Sequence, residues 1–150
     1  MKFAVSALLA AAAVTLAGPA SAQFAKPEAA IKYRQSVMFV MAQHFGRIGA
    51  MANGKVPYDA KVAVANAELV AEMAKLPWSA FATDTEKLSH EVKPALWKEP
   101  GKFKEHADKL QETSGKLLAA AKTENLDNLK AAFGETARSC KTCHDAYRKD

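Results

Sequence analysis

The chain has 150 residues and a formal net charge of +5, with 49% hydrophobic and 25% charged residues. This length predicts a single domain, and the composition excludes a disordered or fibrous protein. The basic residues are scattered along the chain and do not alternate with aromatic residues, so we expect no binding to nucleic acid.

Residues 1–22 have the features of a secretory signal peptide. Lys2 gives a positive start, an apolar run follows it, and Ala20-Ser21-Ala22 forms a small-residue cleavage site. The apolar run is shorter than the roughly 20 residues that cross a bilayer. We therefore expect cleavage before Gln23, a mature domain over residues 23–150 with no membrane span, and a periplasmic location.

Four segments repeat apolar residues at helical spacing, and none of useful length alternates as a strand does. The first runs from about Glu28 to Met51, because Asn53-Gly54 tolerates the left-handed backbone that ends a helix. The second begins near Asp59 and ends at Pro77, which cannot continue a helix. Their predicted stripes are Ile31, Gln35, Met38, Ala42, Phe45 and Gly49, then Val62, Asn66, Leu69, Met73 and Leu76.

Residues 77–100 hold three prolines and both tryptophans without a sustained period, which predicts a long connection whose aromatic rings pack on the helices. A third helix starts near Gly101, and a fourth follows Asn125, whose side chain can accept a backbone N–H. Four amphipathic helices with one long connection predict an all-α, antiparallel four-helix bundle. The last two stripes are Phe103, Ala107, Leu110, Ser114, Leu117 and Ala121, then Leu126, Leu129, Phe133, Cys140, His144 and Tyr147.

The last helix contains Cys140-Lys141-Thr142-Cys143-His144, which has the C-x-x-C-H spacing that attaches a c-type haem. Two thiols one helical turn apart lie on the same helix face, so they can add to the two vinyl groups of one haem. The histidine that follows can then bind the iron as the proximal ligand. The motif predicts one covalent haem c, held by Cys140 and Cys143, with His144 on the iron.

Three other interpretations of the two cysteines are weaker. Zinc needs four ligands, and the remaining histidines show no spacing that pairs with the motif. A reactive dithiol usually begins a helix, whereas this motif lies near a helix end, where the helix dipole disfavours a thiolate. Two ordinary core cysteines would leave the complete motif in an exported chain to coincidence.

Only six residues follow His144, so a second protein ligand of the iron must come from upstream. A C-terminal C-x-x-C-H on the last helix of an exported bundle resembles the class II cytochromes c, the cytochrome c′ family. The resemblance covers almost all of the chain after residue 22. It rests on Gln23-Phe24-Ala25-Lys26-Pro27, Lys32-Tyr33-Arg34-Gln35-Ser36, His44-Phe45-Gly46-Arg47, Leu76-Pro77-Trp78, Lys130-Ala131-Ala132-Phe133-Gly134 and the residues from Cys140 to Arg148.

The resemblance implies roles for several upstream residues. In a low-spin branch of the family a methionine of the first helix binds the iron, and Met38 stands at the matching position. Arg34 and Gln35 match residues at the haem propionates, and Phe81 matches a phenylalanine near the proximal histidine. Thioether ligation raises the reduction potential and closes the iron to outside ligands. An iron ligated by His144 and Met38 predicts a one-electron carrier rather than an enzyme.

A second interpretation leaves Met38 off the iron. A methionine on an apolar helix face is commonly core filler, and Met41 lies one turn further along. The resemblance then implies a five-coordinate haem that binds nitric oxide or carbon monoxide. The family also implies periplasmic redox partner proteins and a homodimer through the first two helices. We expect His44 to lie too far along its helix to bind the iron, and His90 and His106 to be surface residues.

Overall fold

The structure is a computed structural model that describes residues 23–149. Within that range the helices are α1 (Pro27–Ala52), α2 (Ala60–Met73), α3 (Ala95–Lys98), α4 (Pro100–Lys122) and α5 (Leu126–Tyr147). The four long ones form a bundle and α3 is a single turn before α4, so the predicted all-α four-helix fold is confirmed. The predicted signal peptide, residues 1–22, lies outside the described residues, and its cleavage stays a prediction.

The helix ends follow from local chemistry. The Asp59 side chain caps α2 by accepting the backbone N–H of Val62 at 3.1 Å, and Asn125 caps α5 by accepting two N–H groups of its first turn. Gly54, with a φ of 68°, turns the chain after α1 in a conformation that favours glycine. The end of α2 was predicted too late, because the helix stops at Met73 and turns follow it.

The predicted stripe of α1 faces another helix only at its end, where Phe45 and Gly49 lie against Phe133 of α5. From Ile31 to Phe45 its members line a large cavity, and Gln35 and Ala42 are exposed. Helical periodicity finds an apolar face, but it does not distinguish a face that covers a cavity from one that packs on a neighbour. The buried residues of α1 lie mainly on an adjacent face and are Ala30, Arg34, Val37, Met41, Ile48, Gly49, Met51 and Ala52.

The predicted stripe of α2 was also wrong in part. Val62, Leu69 and Leu76 are 45%, 40% and 41% exposed. Small side chains form the buried face instead, and they allow α1 and α4 to pack closely against α2. The larger apolar side chains are therefore left on the outside of the bundle. The buried residues of α2 are Ala63, Asn66, Ala67, Val70 and Ala71.

The connection between α2 and α4 packs its aromatic rings on the bundle, as predicted. The ring centroids of Trp78 and Phe81 lie 5.8 and 4.9 Å from that of Phe103. Two 3₁₀ turns, Trp78–Ala80 and Thr83–Leu88, shape the connection. Five of the six residues in the predicted α4 stripe are buried, and Phe103 is half-buried. The five are Ala107, Leu110, Ser114, Leu117 and Ala121.

A close contact between α1 and α5 gives a first prediction. A Cβ added to Gly49 would stand 2.7 Å from Phe133, whose ring stacks on Phe45 with a centroid distance of 4.4 Å. We expect Gly49→Ala to lower the free energy of unfolding by about 1–2 kcal/mol, the overpacking strain less the helix preference of alanine. Gly46→Ala is the control, since a Cβ there meets nothing within 4 Å. Denaturant titrations that give both variants the same midpoint would contradict this.

Candidate haem site

A cavity of about 790 Å³ opens on one side of the bundle, between α1, α4, α5 and the connection that precedes α4. Its wall is mainly apolar, and its volume lies within the range of roughly 300–1,000 Å³ typical of cofactor sites. The cavity brings together residues that are far apart in the sequence. All of the predicted site residues line it, namely Arg34, Gln35, Met38, Phe81, Cys140, Cys143 and His144.

The two cysteines occupy one side of α5 as free, half-buried thiols. Burial raises the pKa of Cys140, and burial together with the neighbouring Cys140 raises the pKa of Cys143 to about 11. A reactive dithiol needs the opposite shift, so the structure argues against that interpretation. Within residues 23–149 no three His, Cys, Asp or Glu side chains form a group that could hold a metal ion.

His144 lines the same cavity one residue beyond Cys143. Its pKa is lowered, first because partial burial disfavours the charged imidazolium and then because Arg148 is positively charged. A lowered pKa favours the neutral imidazole, which is the form that binds a metal. Two thiols and an imidazole on one helix, facing an apolar cavity of this size, fit a haem c.

Helix α1 forms another side of the cavity wall, away from the cysteines and His144 of α5. Met38 is half-buried in this wall, Met41 is buried one turn further along, and Gln35 is exposed at its edge. Met38 and His144 therefore face one cavity from different helices. Whether the Met38 sulfur binds the iron, and whether Gln35 contacts a propionate, stay predictions.

Arg34 is buried, with only 3% of its surface exposed. Its guanidinium donates to the carbonyl of Ala80 at 2.6 Å, to Oγ1 of Thr85 at 3.0 Å and to the hydroxyl of Ser89, and it lies 4.3 Å above the ring of Phe81. Burial lowers its pKa, although arginine stays protonated. This burial excludes a surface ion pair, and the predicted contact with a haem propionate stays a prediction.

His106 lines the cavity, although it was predicted to be a surface residue. It is half-buried, and its ring centroid lies 5.5 Å from that of Tyr147. Its spacing of four residues from Leu110 was the signal that could have located it. His90 is exposed but also borders the cavity, so its predicted surface position is correct. His44 bonds to Asn66 at 2.8 Å between α1 and α2, away from the cavity wall.

Comparisons with known proteins add independent findings. A family model described as Cytochrome C′ matches residues 29–148. Cytochrome c′ from Alcaligenes xylosoxydans xylosoxydans is 47% identical over 127 residues, which cover 85% of this chain and 98% of that protein. The crystal structure of cytochrome c′ from Rubrivivax gelatinosus matches with a TM-score of 0.81 at 50% identity. The nitric oxide complex of a leucine-to-valine variant of cytochrome c prime from Alcaligenes xylosoxidans matches with a TM-score of 0.80 at 46% identity. Both structures are covered completely, by 85% of this chain.

Proposed function

Because this chain belongs to the cytochrome c′ family, whose members bind haem c covalently, we propose that it binds nitric oxide at a five-coordinate haem iron. The observation that carries this proposal is the set of nitric oxide complexes of a relative that shares 46% identity and the same fold. They favour the five-coordinate alternative over the iron ligated by both His144 and Met38.

The two sides of the cavity support separate roles in this proposal, haem attachment on the α5 side and gas binding on the α1 side. On the α5 side, Cys140 and Cys143 hold the haem and His144 supplies the one protein ligand of the iron. On the α1 side, the half-buried Met38 stands among apolar neighbours that suit an uncharged diatomic gas better than an ionic substrate. In this proposal Met38 covers the open face of the haem. Its apolar neighbours in the α1 wall are Ile31, Phe39, Met41, Ala42 and Phe45.

Visible absorption spectra of the purified holoprotein test the proposal. We expect broad high-spin bands in the reduced protein that shift at once when carbon monoxide or nitric oxide is added. Sharp, resolved low-spin bands that ignore carbon monoxide would contradict it and favour the electron carrier with a Met38 ligand. Carbon monoxide is the better first probe, because it binds reduced haem without a change in the oxidation state of the iron.

The proposal places the protein in the periplasm, as the predicted signal peptide indicates, with redox proteins as its partners. Binding of a gas and exchange of single electrons are its roles, and no enzymatic turnover is proposed. Within residues 23–149 no helix has the length and apolar character needed to cross a membrane.

A homodimer through the first two helices is part of the same proposal. Val62 and Leu69, seven residues apart on α2, leave 45% and 40% of their surface exposed on one helix face. An apolar face of this kind is stabilised when a second copy covers it. We expect Leu69→Glu to convert a dimer into a monomer in sedimentation experiments, while Ala119→Glu on an exposed position of α4 leaves the mass unchanged. A monomeric parent protein would contradict the proposal.

A further inference from the structure

The last turn of α5 is held by a residue from a distant part of the chain. The final carbonyl groups of a helix have no partner within the helix itself. Lys93 supplies two donors to them: its backbone N–H bonds to the carbonyl of Tyr147 at 2.8 Å, and its ammonium bonds to the carbonyl of Asp145 at 2.9 Å. In return, the N–H of Lys149 bonds to the carbonyl of Glu91 at 2.9 Å.

These bonds form a short antiparallel bridge, in which Val92 pairs with Arg148. The segment that carries Lys93 is itself anchored at its other end. Ser89 and Thr85 accept hydrogen bonds from the buried guanidinium of Arg34, and the Ser89 hydroxyl also donates to the carbonyl of Thr85 at 2.6 Å. We call residues 85–93 the brace, because they connect a buried side chain of α1 to the end of α5.

The stability of the last turn of α5 affects the position of His144, the predicted iron ligand. His144 lies in the last turn of the helix, and helix ends open more readily than helix centres. A ligand on a turn that opens would leave the iron more often. We propose that Lys93 is a positioning residue for His144, and that the brace keeps the imidazole aligned with the iron. This inference rests on the proposed function only in taking His144 as the iron ligand.

Variants at Lys93 separate the contribution of its side-chain hydrogen bond from that of its backbone hydrogen bond. Lys93→Met removes the ammonium but keeps the backbone N–H and much of the apolar stem, whereas Lys93→Arg keeps a cationic donor. Lys87→Met is the matched control, since Lys87 is an exposed lysine of the same brace and has no hydrogen bond to α5 among the described residues.

Two measurements on the holoprotein test the proposal. In Lys93→Met we expect the amide of Arg148, which bonds to the carbonyl of His144 at 2.8 Å, to exchange its hydrogen about tenfold faster. We also expect the iron–imidazole stretching band of the reduced protein to move to lower frequency and broaden in resonance Raman spectra. Lys93→Arg and Lys87→Met should resemble the parent protein in both measurements.

The outcomes distinguish the inference from the function on which it rests. An unchanged iron–imidazole band in Lys93→Met overturns the positioning role, even if amide exchange becomes faster. An equal change in Lys87→Met overturns it as well, because the effect would then not require the contact with α5. Absence of the band from the parent protein would instead show that the reduced iron is not five-coordinate, as when Met38 also binds it. The proposed function would then fail, and the exchange rate of the Arg148 amide alone would decide whether Lys93 positions the last turn of α5.

Discussion

Replacing Met38 by alanine should raise the rate at which carbon monoxide binds to the reduced protein by about tenfold, a barrier change of roughly 1.4 kcal/mol. Met38 is half-buried in the α1 wall of the cavity, and the proposed function keeps its sulfur off the iron. The side chain then obstructs the face on which a gas binds, and alanine removes everything beyond Cβ. The iron should be high-spin before and after the substitution.

Two further variants make this experiment specific. Met38→Leu keeps most of the side-chain volume and should change the binding rate little. Met73→Ala truncates a half-buried methionine that packs on the core but does not line the cavity. It therefore measures how far looser core packing changes the binding rate when the cavity wall is unchanged. Stopped-flow mixing with carbon monoxide measures all of the rates. If the parent protein is low-spin and Met38→Ala converts it to high-spin, Met38 is an iron ligand and the electron carrier is the better interpretation.

The haem attachment residues were predictable because their chemistry is local. The spacing of Cys140 and Cys143 places both thiols on one side of whatever helix carries them, and His144 follows directly. The number of long helices was predictable for a similar reason, since each has its own apolar period and its own end signals. Both features depend on neighbours within a few residues, which one sequence records.

The orientation of the faces was harder to predict. The α1 stripe of Ile31 and Met38 turned out to line the cavity, and Val62 and Leu69 of α2 turned out to be exposed. Apolar periodicity is the same whether a face covers a helix, a cofactor or a second subunit, so the sequence pattern alone cannot assign it. The spin state of the iron depends on whether the sulfur of Met38 reaches it, and this distance has no sequence signal.

Arg34 illustrates a second limit. The resemblance to the cytochrome c′ family placed it at the haem, but its protein partners, Ala80, Thr85 and Ser89, lie in a connection with no regular period. The sequence separation between Arg34 and these partners is 46 to 55 residues. Contacts of this kind become visible only when the connection folds back on α1.

The burial of Arg34 predicts a large effect on stability. We expect Arg34→Met to lower the free energy of unfolding by about 2–4 kcal/mol, because charge-assisted hydrogen bonds are lost and a buried acceptor is left without a donor. The carbonyl of Ala80 is the acceptor most affected, since the hydroxyls of Thr85 and Ser89 also donate to the carbonyls of Ala82 and Thr85 at 2.7 and 2.6 Å. Denaturant titration of the holoprotein measures the loss.

Arg47→Met is the matched control on the same helix. Arg47 is exposed, and its guanidinium makes one long contact of 3.4 Å with Nδ1 of His44, so the free energy of unfolding should change by less than about 0.5 kcal/mol. An equal loss in the free energy of unfolding in both variants would show that the buried hydrogen bonds of Arg34 do not cause it. Amide exchange should also show the loss at residues 80–89, where the guanidinium holds the connection.

The reduction potential then separates the two roles of Arg34. If its guanidinium also binds a haem propionate, Arg34→Met removes a positive charge close to the iron, and the ferric state, which carries the additional charge, becomes relatively more stable. The potential should then fall, while Arg47→Met should leave it unchanged. A variant that loses stability but keeps its potential would assign Arg34 to the connection alone, and the predicted contact with the propionates would be wrong.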